Sequence, residues 1–248
     1  MPLLGKEDAE RYSRQTALPE LGEEGQLRLL QSSALIVGAG GLGSPAAFYV
    51  AAAGVGRIGI ADPDKVELSN LQRQILHGIH DLGRPKARSA YESLRKLNPS
   101  LKIEMHEMRV SSENAIALFS KYDFIIDATD SFAAKLMIAE TAWQAGKPLS
   151  HGGVSGFCGQ TMTVLPGVKP CLRCVFHETP ADPSNPAGPM GFVPGVIGAI
   201  QAAEAVKFLA GLQVSLRGKM LTFNSLSMEF RKVEINPDPA CPLCSKQP

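Results

Sequence analysis

A glycine-rich loop between an apolar strand and a helix is the feature that most constrains the fold of this chain. The apolar run Ala34–Val37 predicts a buried strand of a parallel sheet. The loop that follows has the G-x-G-x-x-G pattern, with glycines at Gly38, Gly40, Gly41 and Gly43. Ser44-Pro45 then predicts the start of a helix capped by the serine hydroxyl. The backbone N–H groups of such a loop, at the N-terminus of a helix, bind anionic phosphates.

The next strand ends in a carboxylate at the position typical of nucleotide-binding folds. Arg57–Ala61 predicts this strand, and Asp62 stands nineteen residues after Gly43. A carboxylate at that spacing commonly accepts hydrogen bonds from ribose hydroxyls. The glycine pattern alone is weak evidence, since tight turns and close helix–strand contacts also use glycine. Strand, loop, helix, strand and acid in this order predict a Rossmann-like nucleotide site.

Two cations and a polar segment after this strand indicate which nucleotide chemistry to expect. Arg73 and Lys86 are candidate phosphate ligands, and the polar segment offers four further candidate contacts, Ser69, Asn70, Leu71 and Gln72. A triphosphate carries about four negative charges, so an enzyme that cleaves one needs cationic side chains at its phosphates. The chain has no G-x-x-x-x-G-K-[ST] motif, which excludes a P-loop enzyme. Ordinary surface charge is the alternative for any single arginine or lysine.

Two C-x-x-C pairs predict a metal site. They are Cys171/Cys174 and Cys241/Cys244, and sixty-six residues separate them. Four thiolates from two tight turns form the tetrahedral sulfur set that zinc prefers, with no position left for a reacting water. The alternatives are an iron–sulfur cluster and a redox-active pair, which would account for only one of the two motifs. We expect a structural zinc site that holds the C-terminal tail, and we expect Cys158 to be a buried, inert thiol.

The remaining pattern predicts alternating helices and strands. The predicted helices are Lys86–Leu97, Glu113–Phe119, Phe132–Ala145 and Val196–Leu209. The first of them has an apolar stripe at Ala87, Ala90, Leu94 and Leu97. The predicted strands are Leu101–Met108, Asp123–Ala128, Pro148–His151, Gln160–Leu165, Lys219–Asn224 and Met228–Ile235. Such a series predicts an α/β fold, a Rossmann-like doubly wound and mostly parallel sheet with an antiparallel C-terminal extension.

Asp130 follows the predicted strand at Asp123–Ala128, at the sheet edge where such folds bind ligands. One interpretation is a helix N-cap, which is common for aspartate. The other is a Mg²⁺ ligand, because Mg²⁺ on a nucleotide is held by one or two carboxylates together with phosphate oxygens. The residues alone leave both interpretations open.

Composition excludes several classes of protein. The 248 residues are 44% apolar, enough to bury a sizeable core, and the net charge of +1 gives no general attraction to nucleic acid or to an acidic membrane. The first ten residues have acids and no apolar run, unlike a signal peptide. Glycines and Arg57 interrupt the longest apolar region, which argues against a membrane span. The paired cysteines suit a reducing compartment, so we expect a cytoplasmic protein.

Together these motifs resemble the MoeB/ThiF/HesA family, the bacterial relatives of ubiquitin-activating E1 enzymes. The resemblance runs from about Arg11 to Cys244, through GAGGLGSPAAFYVAAAGVG, DPDKVELSNLQRQ, GRPKA, DATD and the C-x-x-C pairs. It implies an adenylyltransferase that uses ATP and Mg²⁺ to adenylate the C-terminal glycine carboxylate of a small ubiquitin-like sulfur-carrier protein ending in Gly-Gly, with release of pyrophosphate. Molybdopterin and thiamine biosynthesis both use such enzymes, and the sequence does not choose between the carriers.

The resemblance also implies residue roles and an assembly. Arg73, Lys86 and Asp130 would act on the phosphates and the metal, Ser131 would lie at the nucleotide, and Arg14 would reach into the neighbouring subunit of a homodimer as a finger. Ser131 stands where relatives usually have asparagine, and Lys135 stands where many have arginine. Serine keeps a hydrogen-bonding hydroxyl and lysine keeps the charge, so the activity implied is the same.

We expect one E1-like adenylation domain over residues 1–248, with an N-terminal helical arm at 1–32, a nucleotide-binding core at 33–165, and a crossover loop, interface helix and zinc-held tail at 166–248. The proline-rich stretch His177–Pro194 predicts the loop. Several relatives have a reactive cysteine there, whereas Ser184 is the nearest equivalent in this chain and no sulfur-supplying segment follows Cys244. The chain is therefore expected to stop at the adenylate and to rely on a separate sulfur donor.

Two other functions fit part of the pattern. An NAD-dependent oxidoreductase would explain Gly38–Asp62 but would leave Arg73, Lys86 and Asp130 without a role. A non-catalytic, zinc-stabilised scaffold would bind nucleotide and a ubiquitin-like partner, but retention of Arg14, Arg73, Lys86 and Asp130 together argues against it. None of the five histidines has metal-ligand spacing, and His151, at a predicted strand end, is the one nearest the site.

Overall fold

The computed structural model describes residues 4–179 and 188–245 and contains one eight-stranded sheet. In chain order the strands are β1 (Ser33–Val37), β2 (Arg57–Ala61), β3 (Lys102–His106), β4 (Phe124–Asp127), β5 (Leu149–Ser155), β6 (Cys158–Val164), β7 (Lys219–Asn224) and β8 (Glu229–Glu234). The described helices are α1 (Lys6–Arg11), α2 (Ser13–Thr16), α3 (Gly22–Gln31), α4 (Gly43–Ala53), α5 (Lys86–Leu97), α6 (Ala115–Phe119), α7 (Phe132–Gln144) and α8 (Phe192–Leu209).

The sheet has the order β3-β2-β1-β4-β5-β6-β7-β8. Neighbouring strands from β3 to β5 are parallel, and β5 to β8 are antiparallel. This confirms the predicted fold class, a Rossmann-like sheet with an antiparallel extension. The strand order reverses between β1 and β4, and ligands of such sheets bind beyond the strand C-termini at that point.

The strand β1 shows why the central strands are almost entirely apolar. All five of its residues are buried, because helices cover both faces of a parallel sheet. Ala34 and Ile36 belong to the core that contains residues of α4, α5 and α8, whereas Leu35 and Val37 belong to the core that contains residues of α6 and α7. The alternation places successive side chains in opposite layers.

Several boundaries and contacts differ from the sequence prediction. The helix α8 begins at Phe192, four residues before the predicted start, so Pro194 lies in its first turn rather than in a loop. The hydroxyl of Ser44 does not cap α4 but donates to the carbonyl of Gly40 at 2.7 Å. In the predicted stripe of α5, Leu97 is exposed, since it lies at the last residue of the helix. Ser184 and the central part of the predicted loop fall within residues 180–187, outside the described residues.

The helix α8 is long and apolar enough, by length and composition alone, to cross a membrane, and half of its 18-residue window is buried inside the protein. The helix α8 packs so closely on the sheet that the strand positions facing it at Gly152 and Gly159 have no room for a side chain. A Cβ at Gly159 would lie 2.4 Å from Ile197, and one at Gly152 would lie 2.5 Å from Gln201. The helix is therefore one wall of the core in this structure.

A buried carboxylate joins α8 to the antiparallel extension. Glu204 accepts a hydrogen bond from the Thr163 hydroxyl at 2.9 Å. It also accepts from the backbone N–H groups of Ser215 at 3.1 Å and Leu216 at 2.8 Å. Its carboxylate pairs with the ammonium of Lys207. Burial acts to raise its pKa, but these donors and the ammonium hold the pKa below its usual value. Glu204 thus anchors the connection between α8 and β7.

We expect Glu204→Ala to lower the free energy of unfolding by about 3 kcal/mol, because it leaves buried N–H and O–H donors without an acceptor. Glu204→Gln keeps one acceptor oxygen and should cost less. Urea unfolding followed by circular dichroism measures both, with Glu10→Ala on exposed α1 as the control. A Glu204→Ala protein as stable as this control would show that the carboxylate does not anchor the connection.

Candidate functional site

The glycine loop lies at the point where the strand order reverses, and two of its glycines are required by backbone contacts. A Cβ at Gly38, where φ is 100°, would lie 2.6 Å from the carbonyl oxygen of Ala128. A Cβ at Gly43 would lie 1.9 Å from the carbonyl oxygen of Gly38. Both distances are far below van der Waals contact, so these glycines bring the loop directly against the segment after β4.

The other two glycines face more open space. A Cβ at Gly40 would have only the Nε2 atom of Gln74 within 4 Å, at 3.6 Å. A Cβ at Gly41 would lie 3.2 Å from Pro194 and 3.4 Å from Cγ of Arg73. The backbone near Gly40 therefore leaves room for a ligand to approach, as a phosphate-binding loop requires.

Asp62 holds this loop from the side of β2. One carboxylate oxygen accepts from the N–H of Ala39 at 2.7 Å, and the other accepts from the N–H of Asp64 at 2.8 Å. Burial raises the pKa of Asp62, although these two bonds and Lys86 act to lower it. Each carboxylate oxygen has a further lone pair, so the arrangement permits the predicted ribose contact. That contact stays a prediction.

The predicted phosphate cations both lie beside this loop. Lys86 begins α5, is 7% exposed, and has its ammonium nitrogen 3.2 Å from a carboxylate oxygen of Asp64. Arg73 donates to the carbonyl of Ser69 at 3.1 Å while its aliphatic stem packs at Gly41. Arg73 thus lies at the glycine loop, and Lys86 acts electrostatically on Asp62, the residue that binds the loop, in the direction that lowers its pKa. Their action on phosphates stays a prediction.

The polar segment is a short turn whose side chains are partly engaged within it. The amide oxygen of Asn70 accepts from the N–H of Glu67 at 3.2 Å, and the Ser69 hydroxyl donates to the Glu67 carboxylate at 3.4 Å. Leu71 is half-buried. A Cβ built on Gly191 would lie 2.2 Å from the carbonyl oxygen of Gln72. The segment thus packs against the start of α8, and its nucleotide contacts stay a prediction.

Two residues at the loop were missed by the sequence analysis. The buried ring of His77 bonds the carbonyl of Ala39 at 2.9 Å through Nε2 and the Ser89 hydroxyl at 2.8 Å through Nδ1. Burial lowers the His77 pKa, which favours the neutral ring. Gln74 is buried near Gly40, and its Oε1 atom has no partner among the described residues. Spacing gives no signal for either residue, since both depend on tertiary contacts.

Asp130 is exposed in the turn after β4, at the edge where the glycine loop lies. It does not cap α7. The N-cap is Ser131, whose hydroxyl accepts from the N–H of Ala134 at 3.3 Å. The N-cap interpretation of Asp130 is therefore wrong, and the metal role stays a prediction. The hydroxyl of Ser131 is engaged in capping α7, and its predicted nucleotide contact also stays a prediction.

Behind Asp130 lies a buried cluster of three ionisable residues. The carboxylate of Asp127 at the end of β4 is fully buried, 3.0 Å from Nδ1 of His151 and 3.6 Å from Nζ of Lys135. Burial acts to raise the pKa of Asp127, but Lys135, His151 and Thr129 together lower it to about 2. The cluster is a fixed charge arrangement under the site, and only DATD in the sequence indicated its position.

A cavity of about 480 Å³ opens beside this cluster. Asp130, Lys135 and His151 line one part of it, and the apolar side chains of Phe132, Val154 and Phe223 line another. The antiparallel strands add polar side chains to the wall, namely Gln160, Thr222, Asn224, Glu229 and Arg231. Cys158 also lines this cavity and is exposed. The expectation of a buried Cys158 is therefore wrong, because the residue begins β6 on the uncovered face of the sheet.

Arg14 is exposed on α2, and the described contacts do not bring it to the glycine loop of its own chain. Its neighbour Gln15 borders a separate cleft of about 310 Å³ with Tyr49, Ala53 and residues of α8. The predicted role of Arg14 in a neighbouring subunit stays a prediction.

The four cysteines of the two C-x-x-C pairs meet at one point. All four are buried, and their sulfur atoms lie within 4.8 Å of one another. Cys171 and Cys241 are 3.5 Å apart, and Cys174 and Cys244 are 3.4 Å apart. A tetrahedron of thiolates at about 2.3 Å from zinc has edges of about 3.8 Å, close to these distances. Burial raises the pKa of Cys171 and Cys244, whereas N–H donors from Cys244 and Leu243 lower the pKa of Cys241, so Cys241 is the thiol that ionises most readily.

Several known proteins are similar to this chain over most of its length. The sulfur carrier protein adenylyltransferase of Thermus thermophilus is 41% identical across 98% of this chain and 93% of its own length. The SAMP-activating enzyme E1 of Haloferax volcanii is 42% identical across 96% of this chain and 89% of its own. The probable adenylyltransferase/sulfurtransferase MoeZ of Mycobacterium tuberculosis is 38% identical across 96% of this chain, which spans 63% of MoeZ.

Solved structures share the fold. Escherichia coli MccB superposes with a TM-score of 0.85 across 96% of this chain and 73% of that chain, at 21% identity. PaaA superposes with a TM-score of 0.77 across 95% of this chain and 76% of that chain, at 24% identity. The sequence profile of the ThiF family matches residues 12–243, which is nearly the whole chain. The chain therefore belongs to the ThiF family.

Proposed function

We propose that this protein uses ATP to adenylate the C-terminal glycine carboxylate of a small ubiquitin-like sulfur-carrier protein, with release of pyrophosphate. The observation that carries the proposal is the convergence of Asp62, Arg73 and Lys86 on the glycine loop, next to the exposed Asp130. The names of relatives that are about 40% identical, a sulfur carrier protein adenylyltransferase and a SAMP-activating enzyme E1, support the same reaction.

The proposed reaction explains why the site offers cations rather than a base. The nucleophile is a peptide α-carboxylate with a pKa of about 3.5, which is already ionised at neutral pH. Catalysis then requires alignment of the carboxylate with the α-phosphate and neutralisation of charge on the phosphates. The N–H groups of the glycine loop, Arg73 and Lys86 supply these functions. Asp130 would hold Mg²⁺, which neutralises phosphate charge when bound.

An NAD-dependent oxidoreductase is not supported. That activity would need the glycine loop and Asp62 but would leave Arg73 and Lys86 beside the loop without a role. The family relationship also favours adenylation over hydride transfer. A scaffold that binds nucleotide without activity would use the same cations, so carrier-dependent pyrophosphate exchange is the measurement that separates it from the enzyme.

Further parts of the proposal concern the assembly. We infer a homodimer in which Arg14 reaches the partner's site, a carrier tail ending in Gly-Gly, and a separate sulfur donor. We also infer a structural zinc on the four cysteines and a cytoplasmic setting, because thiolate ligands need a reducing compartment. The division of residues 1–248 into arm, core and tail follows from this organisation.

We expect alanine at Asp130, Arg73 or Lys86 to lower carrier-dependent ATP–pyrophosphate exchange by two or more orders of magnitude, because each removes a charge that acts on the transition state. Arg88→Ala and Lys96→Ala, on the exposed side of α5, are the matched controls and should stay near wild type. Wild-type exchange by Asp130→Ala would contradict its role at the metal and phosphates.

We expect one zinc per chain on Cys171, Cys174, Cys241 and Cys244. Cys241→Ser should lose the metal and lower the melting temperature, since binding free energy at a structural site contributes to folding. Metal analysis and thermal unfolding measure the two effects. Cys158→Ser is the matched control, because this thiol is exposed and outside the cluster. Retention of zinc by Cys241→Ser would exclude the site.

We expect Arg14→Ala and Asp130→Ala homodimers to be inactive and their mixture to recover activity. If Arg14 acts in the partner's site, each heterodimer has one intact site and one site with both defects. Random exchange of equal amounts makes half of the dimers mixed, so roughly a quarter of wild-type exchange activity should return. Verified subunit exchange without recovery would place the action of Arg14 within its own chain.

A further inference from the structure

His151 is held by a buried carboxylate on the neighbouring strand. Asp127 and His151 are paired residues of the parallel strands β4 and β5, and the Nδ1 atom of the ring lies 3.0 Å from the carboxylate. The other carboxylate oxygen accepts from the hydroxyl of Thr129 at 2.7 Å. Lys135 lies beside them and donates to the carbonyls of Thr129 and Gly152, both at 2.5 Å. These contacts fix the orientation of the ring.

The contacts also assign the proton on the ring. Asp127 is ionised at neutral pH, because its partners hold its pKa near 2 despite burial. An ionised carboxylate only accepts hydrogen bonds, so Nδ1 of His151 carries a hydrogen and donates it. Burial lowers the pKa of His151, although Asp127 acts to raise it, so the ring is neutral at neutral pH. Nε2 therefore has a free lone pair and is an acceptor.

This acceptor has no partner among the described residues. His151 is 1% exposed, and its Nε2 atom is buried without a hydrogen bond. A buried acceptor without a donor costs roughly 1–3 kcal/mol. His151 also lines the cavity of about 480 Å³. The Nε2 atom lies near Gly153, another residue of the cavity wall, since a Cβ built on Gly153 would be 3.8 Å from it. Gly153 therefore places no side chain against Nε2 on this part of the cavity wall.

The chemistry of Nε2 restricts what it can bind. A carboxylate or phosphate offers only acceptors, so neither pairs with the lone pair of a neutral ring. A backbone N–H is a suitable donor, and a tail of glycines offers one at each residue with no side chain to occupy the narrow space beside Gly153. The polar residues Gln160, Thr222 and Asn224 continue the same wall of the cavity and can pair with further backbone groups.

We propose that Nε2 of His151 accepts a hydrogen bond from a main-chain N–H of the last two residues of the carrier tail, which directs the terminal carboxylate towards Asp130 in the same cavity. This inference rests on the proposed function, because it takes the carrier tail as the occupant. It makes His151 a substrate-binding residue that contributes to the affinity for the carrier and has no part in proton transfer.

The first test changes the enzyme. His151→Phe keeps a planar ring but removes both the Nε2 acceptor and the Nδ1–H donor to Asp127, whereas His151→Gln retains an acceptor of similar reach. We expect His151→Phe to raise the KM for the carrier about fivefold to tenfold, which is the loss of one hydrogen bond of about 1–1.4 kcal/mol, with kcat and the KM for ATP unchanged. His151→Gln should recover part of the affinity. An unchanged carrier KM in a folded His151→Phe protein would overturn the inference.

The second test leaves the enzyme intact and therefore does not depend on the folding of a variant. Semisynthetic carriers would have N-methylglycine at the last or the next-to-last position, which removes one N–H at a time. One of the two should raise the carrier KM of the wild-type enzyme about fivefold to tenfold and should have no further effect on His151→Phe. N-methylation one residue earlier is the control. If N-methylation at either carrier position raised the carrier KM of His151→Phe as much as that of the wild-type enzyme, the tail N–H groups and Nε2 of His151 would not interact.

A third variant tests the space beside the ring. A methyl group at Gly153 would lie 3.4 Å from Gln160 and 3.8 Å from Nε2, which are ordinary contacts, so Gly153→Ala should keep the fold. It would occupy the room beside Nε2, and we expect a higher carrier KM with an unchanged KM for ATP. A carrier KM equal to that of wild type would contradict a tail at this position. Absence of carrier-dependent exchange in the wild-type enzyme would instead contradict the proposed function itself.

Discussion

A contact between two stretches of backbone determines the geometry of the candidate site. Gly38 lies against the carbonyl of Ala128, and no side chain fits between them. Because β1 and β4 are neighbours where the strand order reverses, this contact sets the separation between the glycine loop and the Asp130 turn. Asp62 and His77 then hold the opposite side of the loop through the N–H and the carbonyl of Ala39. A larger residue at position 38 would separate groups that must act on one nucleotide.

Asp62 and Asp127, two carboxylates at the ends of central strands, have opposite pKa shifts because their hydrogen-bond and charge partners differ. Asp62 after β2 accepts only backbone hydrogen bonds, and burial raises its pKa. Asp127 at the end of β4 is more deeply buried, yet Lys135 and His151 beside it lower its pKa to about 2. At Asp127 the partners outweigh desolvation, whereas at Asp62 two backbone donors together with Lys86 do not outweigh it. Asp127 is therefore engaged with its neighbours, and Asp62 retains accepting capacity at the loop.

The sequence predicted the parts of the structure that depend on local pattern. Every described strand was predicted, most within a few residues, because periodicity and turn residues mark such elements. The cysteine cluster followed from spacing and thiolate chemistry. The contacts of His77 and the exposure of Cys158 did not follow, because each depends on which distant segment packs nearby. The capping by Ser131 did not follow either, although it is a local contact with the N–H of Ala134. Asp and Ser are both good N-caps, so the pattern could not choose between adjacent residues.

The antiparallel extension explains why one histidine can be both buried and next to a cavity. The helix α8 packs on one face so closely that it requires Gly152 and Gly159, which leaves the opposite face for ligand. On that face the strand register forms one row of Gly153, Gln160, Thr222 and Arg231, and the adjacent row contains His151, Met162, Met220 and Val233. The buried methionines continue into the core around the cysteines. His151 thus stands where the polar face meets the apolar core, so its inner nitrogen is satisfied by Asp127 and its outer nitrogen depends on what enters the cavity.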